Sequence, residues 1–362
     1  MVECKRCLMN SSVPDFSTTS EGCNYCDAMI AAKSKLVRSD KDLCKLIETI
    51  KLSGSGKNYD CIIGLSGGLD SSYALHLAVK NGLRPLAVHM DNGWNSELAQ
   101  NNISNLVSKL NVDLYTHVID WDEYRDMMQA FFNADVIDIE LLYDNAMLGV
   151  NYQLANKYKL KHILAGTNNA TEGIPIPSGW NWYKYDKKNI KSIVSKFGYA
   201  KKFRTFPFIS TVDRVYFRKI KKINWISFLD YFDYSKEHAK DLLVNEYGYK
   251  PYPYKHYESI FTRFYQGYIL PKKFKVDKRL PHLSALVITT ELSRGEALEL
   301  LKSSPYPSIK ELASDTEYFL KKMGWNEGEL LSYINRPANS HDKFGTEVLL
   351  NNLVNKLKLW IR

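Results

Sequence analysis

After Cys61 the sequence contains no cysteine. A thiol nucleophile or thiolate ligand is therefore excluded from everything that follows. Also missing is any apolar run approaching the ~20 residues that a bilayer span requires. The opening MVECKRCLMN has no apolar signal core, so a cytoplasmic protein without a membrane span is expected. There is no internal repeat and no low-complexity tract. Acidic residues are in short supply, at 40 against 49 Lys and Arg, which leaves a net charge of +9. That excess favours anionic partners such as nucleotides, nucleotide sugars, nucleic acid or an acidic protein, without choosing among them. The 362 residues, 45% of them hydrophobic, suffice for one large or two moderate domains with proper cores.

The six cysteines that are present all lie in the first 61 residues, and four of them form two pairs, Cys4-x2-Cys7 and Cys23-x2-Cys26. In a reducing compartment such pairing points to metal rather than disulfides. Two such knuckles fit a four-cysteine zinc ribbon, with an iron–sulfur cluster as the other possibility. Four protein ligands leave no open coordination position, so a structural ion is expected. Cys44 and Cys61 read as small buried apolar residues.

Residues 1–30 form the ribbon and 31–58 a helix and linker, with Leu36, Leu43, Ile47 and Ile50 on one helical face. From Tyr59 strands and helices alternate. YDCIIGL, PLAVHM, LYTHVI and KHILAG read as strands, and helices are expected through SSYALHLAVKN, over 96–110 and over 138–159. Gly82 is placed to end the first of these helices in a left-handed conformation. Such alternation predicts a doubly wound parallel sheet covered by helices, with ligands at the carboxyl ends of its strands. The nucleotide-type domain is expected over 59–175 and a mostly helical, substrate-binding region over 176–362. Helical stretches there fall near 235–247, 256–269 and 294–302, and TEVLLNNLVNKLKLW reads as a basic amphipathic helix docked on the core.

The stretch GLSGGLDSS, residues 64–72, falls between the first strand and its helix. It lacks the lysine of the common phosphate-binding loop. Gly67 and Gly68 allow close backbone approach to phosphates. Ser66, Ser71 and Ser72 offer hydroxyls, and the helix N-terminus adds its positive end. Asp70 is out of place among phosphates unless it holds a divalent cation such as Mg²⁺. SGGLDSS resembles the pyrophosphate loop, SGGxDSS, of the N-type ATP pyrophosphatases, which include GMP, asparagine and NAD synthetases and tRNA-modifying enzymes. The resemblance implies cleavage of ATP between its α and β phosphates. A carbonyl-type oxygen of the substrate is adenylylated, and a nitrogen or sulfur nucleophile then displaces AMP. At other strand ends lie Asp91 and Asn92 in HMDNGW, and Gly166, Thr167, Asn168 and Glu172 in LAGTNNATEG. These face the same crevice, although each alone can also serve as a cap or turn residue.

CKRCLMNSSVPDF, GTNNATEGI and HYESIFTRFYQGYILPKKFKVDKRLPHLSALV together resemble the N-acetyl sugar amidotransferases of the WbpG/PseA type, along nearly the whole chain. The resemblance implies conversion of a sugar acetamido group to an acetamidino group in bacterial lipopolysaccharide O-antigen or other surface-polysaccharide biosynthesis. ATP would activate the amide oxygen and ammonia would attack the amide carbon. The basic run Lys272, Lys273, Lys275, Lys278 and Arg279 lies in the matching motif. Lys272 or Lys273 is expected to neutralise pyrophosphate. His256, Glu258 and Arg263 are expected to touch a nucleotide-linked sugar, and Trp180 and Trp182 either stack on sugar or base or simply pack. The absence of a later cysteine excludes a glutaminase site in this chain beyond Cys61. The resemblance therefore implies a separate glutaminase subunit, with or without a cyclase-like subunit. The competing reading is a tRNA-modifying enzyme, inserting sulfur or nitrogen. It is favoured by the basic charge but lacks catalytic cysteines near the loop, and no nucleic-acid partner is expected.

Overall fold

A computed structural model gives the fold, and it describes residues 2–34, 38–199, 202–252, 257–306 and 308–360. After the cysteine segment come α1 (Asn24–Ser34) and α2 (Asp40–Gly54). Ser39 caps α2 in a reciprocal capping box with Asp42, which fixes its start. The single helix expected over 31–52 is thus two helices, and Leu36 lies outside the described residues.

The alternation that follows is β1 (Cys61–Gly64), α3 (Leu69–Lys80), β2 (Pro85–Asp91), α4 (Glu97–Leu110), β3 (Leu114–Val118), α5 (Trp121–Ala134), α6 (Leu141–Lys157) and β4 (His162–Ala165). Gly82 adopts φ +72°, as its position after α3 requires. α5 was not anticipated, although Tyr124, Met127, Met128, Phe131 and Phe132 carry a helical period and are all buried. Next come α7 (Asn169–Glu172), α8 (Lys187–Phe197), α9 (Thr211–Val215) and β5 (Asn224–Ser227). β5 pairs in parallel with β4, Ile163 opposite Trp225 and Leu164 opposite Ile226. The sheet therefore extends past the expected domain boundary near 175. It has five parallel strands in the order β3-β2-β1-β4-β5, so the order reverses beside β1, where α/β folds open a ligand crevice.

Alternate strand residues feed two cores. Ile62, Val88, Met90 and Ile163 face α5 and α6. Ile63, Ala87 and Leu164 pack with Leu75 of α3 and, further out, with Ile47 and Ile50 of α2. α6 is buried nearly all round because it lies against the sheet on one side and later helices on the other.

The remainder is helical: α10 (Lys236–Tyr247), α11 (Ile260–Phe264) continuing as a wide π-turn helix through Phe274, α12 (Arg279–Ile288), α13 (Arg294–Lys302), α14 (Ile309–Met323), α15 (Glu327–Asn335) and α16 (Val348–Trp360). α16 forms as expected but does not bury its apolar face, since Leu349, Leu350, Leu353 and Leu357 are exposed. Its first turns are held by Asn351, which accepts from Arg214 at 2.7 Å. Among the described residues no helix is long and apolar enough to cross a membrane.

Candidate active site

The loop between β1 and α3 is shaped by its own hydroxyls. Ser66 N–H donates to Ser71 Oγ at 3.3 Å, Gly68 N–H to Ser66 Oγ at 3.2 Å, and Ser71 Oγ to the Gly68 carbonyl at 3.2 Å. Gly67 has φ +84°, and a Cβ there would lie 2.8 Å from the Ala99 carbonyl oxygen, so only glycine fits. Gly166 is confined equally. A Cβ on it would meet the backbone of Asp70 and Ser71 at 2.6 Å, so the end of β4 touches the first turn of α3. Two tyrosines from beyond the sheet clasp the loop: Tyr252 donates to the Gly67 carbonyl at 3.0 Å, and Tyr234 donates to Asp70 Oδ1.

Two cavities meet here. The inner one, about 370 Å³, runs from the loop under α6 and is lined by Ser66, Gly68, Asp70, Ser71, Gly166, Thr167, Glu172 and Glu258. Lys236 and Lys240 of α10 supply its cations, and Tyr249 lines it with a buried hydroxyl that has no partner among the described residues. The outer cavity, about 650 Å³, is walled by Glu140, Asp144, Lys184, Arg263, Gln266, Lys278 and Arg279 among others. Ser66, Tyr143, Glu172, Lys236, Glu258 and His282 line both. A group bound in one cavity can therefore reach a group bound in the other across these six side chains.

The outer wall is a lattice of ion pairs. Lys184 Nζ lies 2.6 Å from Asp138 and 2.7 Å from Asp144, and Lys278 Nζ lies 2.7 Å from Glu140. Burial opposes the Lys184 charge, but its two carboxylates outweigh that and hold its pKa above the usual lysine range. Burial, with Glu258 and Asp144 nearby, likewise keeps the Tyr143 phenol protonated and a donor.

Several residues expected at the site sit elsewhere. Lys273 is buried 3.0 Å from Asp135 and also donates to the Tyr333 and Arg336 carbonyls at 2.7 and 2.8 Å, so it braces the C-terminal helices. Lys272 is exposed and lines neither cavity. The inner cavity draws its cations from Lys236 and Lys240, and the outer one from Lys184, Lys236, Arg263, Lys278 and Arg279. Asp91 Oδ1 accepts from Gly93 N–H at 2.8 Å and Asn92 Oδ1 from Trp94 N–H at 3.2 Å, so both close the turn after β2. Asn168 is buried behind Gly166. Trp180 is buried, and Trp182 stacks on His341 at 4.9 Å rather than on open space. Arg263 does line the outer cavity, yet it is held by both oxygens of Asp315. His256 lies outside the described residues. Cys61 is buried as expected, but Cys44 is exposed.

The cysteine ribbon stands behind this site. The Sγ atoms of Cys4, Cys7, Cys23 and Cys26 all lie within 4.8 Å of one another and are buried. The Cys4–Cys26, Cys7–Cys23 and Cys23–Cys26 separations are 3.8, 3.8 and 3.7 Å. That is the edge of a tetrahedron whose centre lies about 2.3 Å from each sulfur, the Zn–S bond length. Backbone N–H groups of Arg6, Cys7 and Cys23 point at these sulfurs and would support thiolates. The donor set therefore fits a zinc ion. Leu8 N–H donates to Ser284 Oγ of α12 at 3.1 Å, and Met29 of α1 packs against Gly173 at the end of α7. α12 carries His282 and α7 carries Glu172, so the ribbon buttresses two residues common to both cavities.

Sequence reasoning found the loop because its chemistry is concentrated in seven consecutive residues, Ser66 to Ser72. It missed Tyr143, Tyr234, Lys236, Lys240, Tyr249 and His282, which come singly from separate segments. The helical period of α6 and the HLSALV stretch of α12 were the available signals.

Residues 41–175 match the family model of NAD synthase. Residues 258–358 match that of the C-terminal domain of WbpG-like LPS biosynthesis proteins. No curated protein matches the chain. Among solved structures, NMN synthetase from Francisella tularensis is 20% identical, covering 56% of this chain and 84% of its own at a TM-score of 0.29. The NH3-dependent NAD synthetase from Campylobacter jejuni is 16% identical, covering 63% and 99% at a TM-score of 0.29. The two family matches fall on different parts of the chain. One match covers the loop-bearing part of the sheet and the other the helical region that supplies Glu258, Arg263, Lys278 and His282. The chain thus joins an NAD synthase-like pyrophosphate-loop sheet to a helical region similar to the C-terminal domain of WbpG-like LPS biosynthesis proteins.

Proposed function

We propose that the protein is an AMP-forming sugar amidotransferase that converts an acetamido group of a nucleotide-linked sugar into an acetamidino group, in the making of lipopolysaccharide O-antigen or a related surface polysaccharide. The observation that carries this reading is the pair of joined cavities. One is built on the pyrophosphate loop, and the other is walled by the WbpG-like segment. ATP occupies the inner cavity, with its phosphates at the loop and the α3 N-terminus. The sugar occupies the outer one, its acetamido group reaching the junction.

The amide oxygen attacks the α-phosphorus and pyrophosphate leaves. Ammonia then adds to the amide carbon, and AMP departs with the former amide oxygen, leaving C=NH in place of C=O. Asp70 would hold a magnesium ion, which when bound would neutralise charge on the leaving pyrophosphate. Lys236 and Lys240 add fixed positive charge at the same end. Tyr143 donates to oxygens brought to the junction, and Glu172, Glu258 and His282 are placed to take the proton that ammonium must lose. The nitrogen is proposed to come from a separate glutaminase subunit, in line with the lack of any cysteine after Cys61. The buried position of Cys61 argues against a sulfur-transferring relative.

The test combines purified protein, ATP, Mg²⁺ and ammonium with either UDP-linked diacetamido uronate or bulk tRNA. AMP released only with the sugar, together with the small mass loss of O exchanged for NH, is the expected result. AMP released only with tRNA overturns it, and ADP would show that the loop itself has been misread. Asp70→Asn should cut AMP release by about a hundredfold or more while circular dichroism stays unchanged.

A further inference from the structure

Beside the Tyr249 hydroxyl, a second buried polar atom of the inner cavity has no use in the mechanism above. Asn151 of α6 is 1% exposed. Its Nδ2 donates to the Met147 carbonyl at 2.8 Å. Its Oδ1 is buried and meets no donor among the described residues. The orientation of the amide is settled by that donated bond, because turning it over would set oxygen against oxygen at the same distance. The amide faces Gly64, and a Cβ built there would lie 3.5 Å from both amide heteroatoms. Because residue 64 is glycine, the last turn of β1 leaves open the space in front of this oxygen.

The surroundings define what fills that space. Val88, Met90, Met147, Val150 and Trp225 line the same cavity and contrast in character with the serines and lysines at the loop. An apolar slot with one unsatisfied acceptor suits a flat heteroaromatic ring that brings one N–H donor. Adenine presents such a donor, its 6-amino group. Guanine presents an oxygen at the same place, and a buried acceptor facing an acceptor is unfavourable for both.

We infer that Asn151 sets the base specificity of the protein, selecting adenine over guanine by accepting a hydrogen bond from the 6-amino group through Oδ1. The inference rests on reading the inner cavity as the nucleotide site. Asn151 touches the base and not the reacting phosphate, so it acts on nucleotide affinity and not on the chemical step.

The experiment is calorimetric titration of the full chain with Mg²⁺ complexes of ATP, GTP and purine riboside triphosphate, which lacks any group at position 6. The wild type is expected to bind ATP at least about tenfold more tightly than either of the others. In Asn151→Leu, ATP is expected to weaken about tenfold while purine riboside triphosphate stays within about twofold, so that the two converge. Equal affinity of the wild type for ATP and the 6-unsubstituted analogue overturns the inference, and this arm needs no variant to fold. A variant that retains the wild-type ratio overturns it as well, with the nucleotide site left standing. Failure of the wild type to bind any of the three removes the nucleotide reading itself, and the inference with it.

Discussion

Lys273 shows how a basic residue in a recognisable motif can belong to the scaffold. Its ammonium sits against Asp135, which also holds Arg336 at 3.1 Å. Lys273→Met leaves that carboxylate one partner, so the loss should fall near the low end for a broken buried pair, about 3 kcal/mol. Urea unfolding is expected to register it, while AMP release per folded molecule stays at the wild-type level. A catalytic lysine would give the opposite pattern. His341 offers a second test at this scale. Its Nδ1 hydrogen bonds to Asn189 Oδ1 at 2.7 Å and its Nε2 accepts from Asp138 N–H at 3.3 Å, which fixes a neutral ring. Burial pushes its pKa down to about 4, against the neighbouring Asp138, whereas the unfolded chain titrates near ~6.5. Between those values the unfolded state binds more protons, so the contribution is complete above about 6.5 and is lost as pH falls towards 4. The full amount is about 3 kcal/mol. His76, His89 and His162 are buried and shifted in the same direction. The diagnostic result is therefore a smaller acid loss in His341→Gln than in the wild type, read from unfolding midpoints at about pH 7.5 and about pH 5.

At the scale of elements, the ribbon is expected to govern the site it backs. Chelation, or Cys7→Ser, should release one zinc ion per chain, measured by metal analysis. It should also lower the thermal midpoint and increase hydrogen exchange in α7 and α12, which the ribbon touches through Met29 and Leu8. Structural zinc in small ribbons is worth about 10–16 kcal/mol of binding free energy, so the destabilisation should be large. Unchanged exchange in α7 and α12 would sever the ribbon from the site. The ribbon, β1 to β4 and about half of the helices were legible because each is specified by a local pattern: paired cysteines, an apolar run, a helical period. β5 was not, since NWIS is four residues long in a segment crowded with aromatics and lysines, and only its pairing with β4 makes it a strand. The exposed face of α16 was equally hidden. Its amphipathic pattern says that the helix has an apolar side and not whether anything covers it.

The whole molecule reads as a nucleotide-binding sheet under a helical cover, and the site exists only where the two meet. The loop could be read from the sequence, and with it Ser66, Glu172 and Glu258 of the junction, but the other three junction residues could not. Tyr143 comes from α6, Lys236 from α10 and His282 from α12, and nothing local distinguishes them from core or surface residues. Ligand binding across this junction should stabilise the entire fold. Mg-ATP at about 100 times its dissociation constant is expected to add about 2.7 kcal/mol, seen as a rise in the thermal midpoint that Asp70→Asn reduces. A midpoint indifferent to ATP would count against the nucleotide site.

The bond from Leu8 to Ser284 joins residues 276 positions apart. During synthesis the four cysteines leave the ribosome long before α12, the helix that covers them. Domains generally fold as they emerge, the N-terminal parts leading, but here the leading part lacks one of its two supports until α12 arrives. Throughout that interval the thiols stand open to oxidants and to cellular metal. An early zinc ion would protect them and hold the knuckles closed on each other. With zinc as the ion of this site, the order of manufacture would make metal supply a condition of assembly, met or missed before the two cavities have come into being.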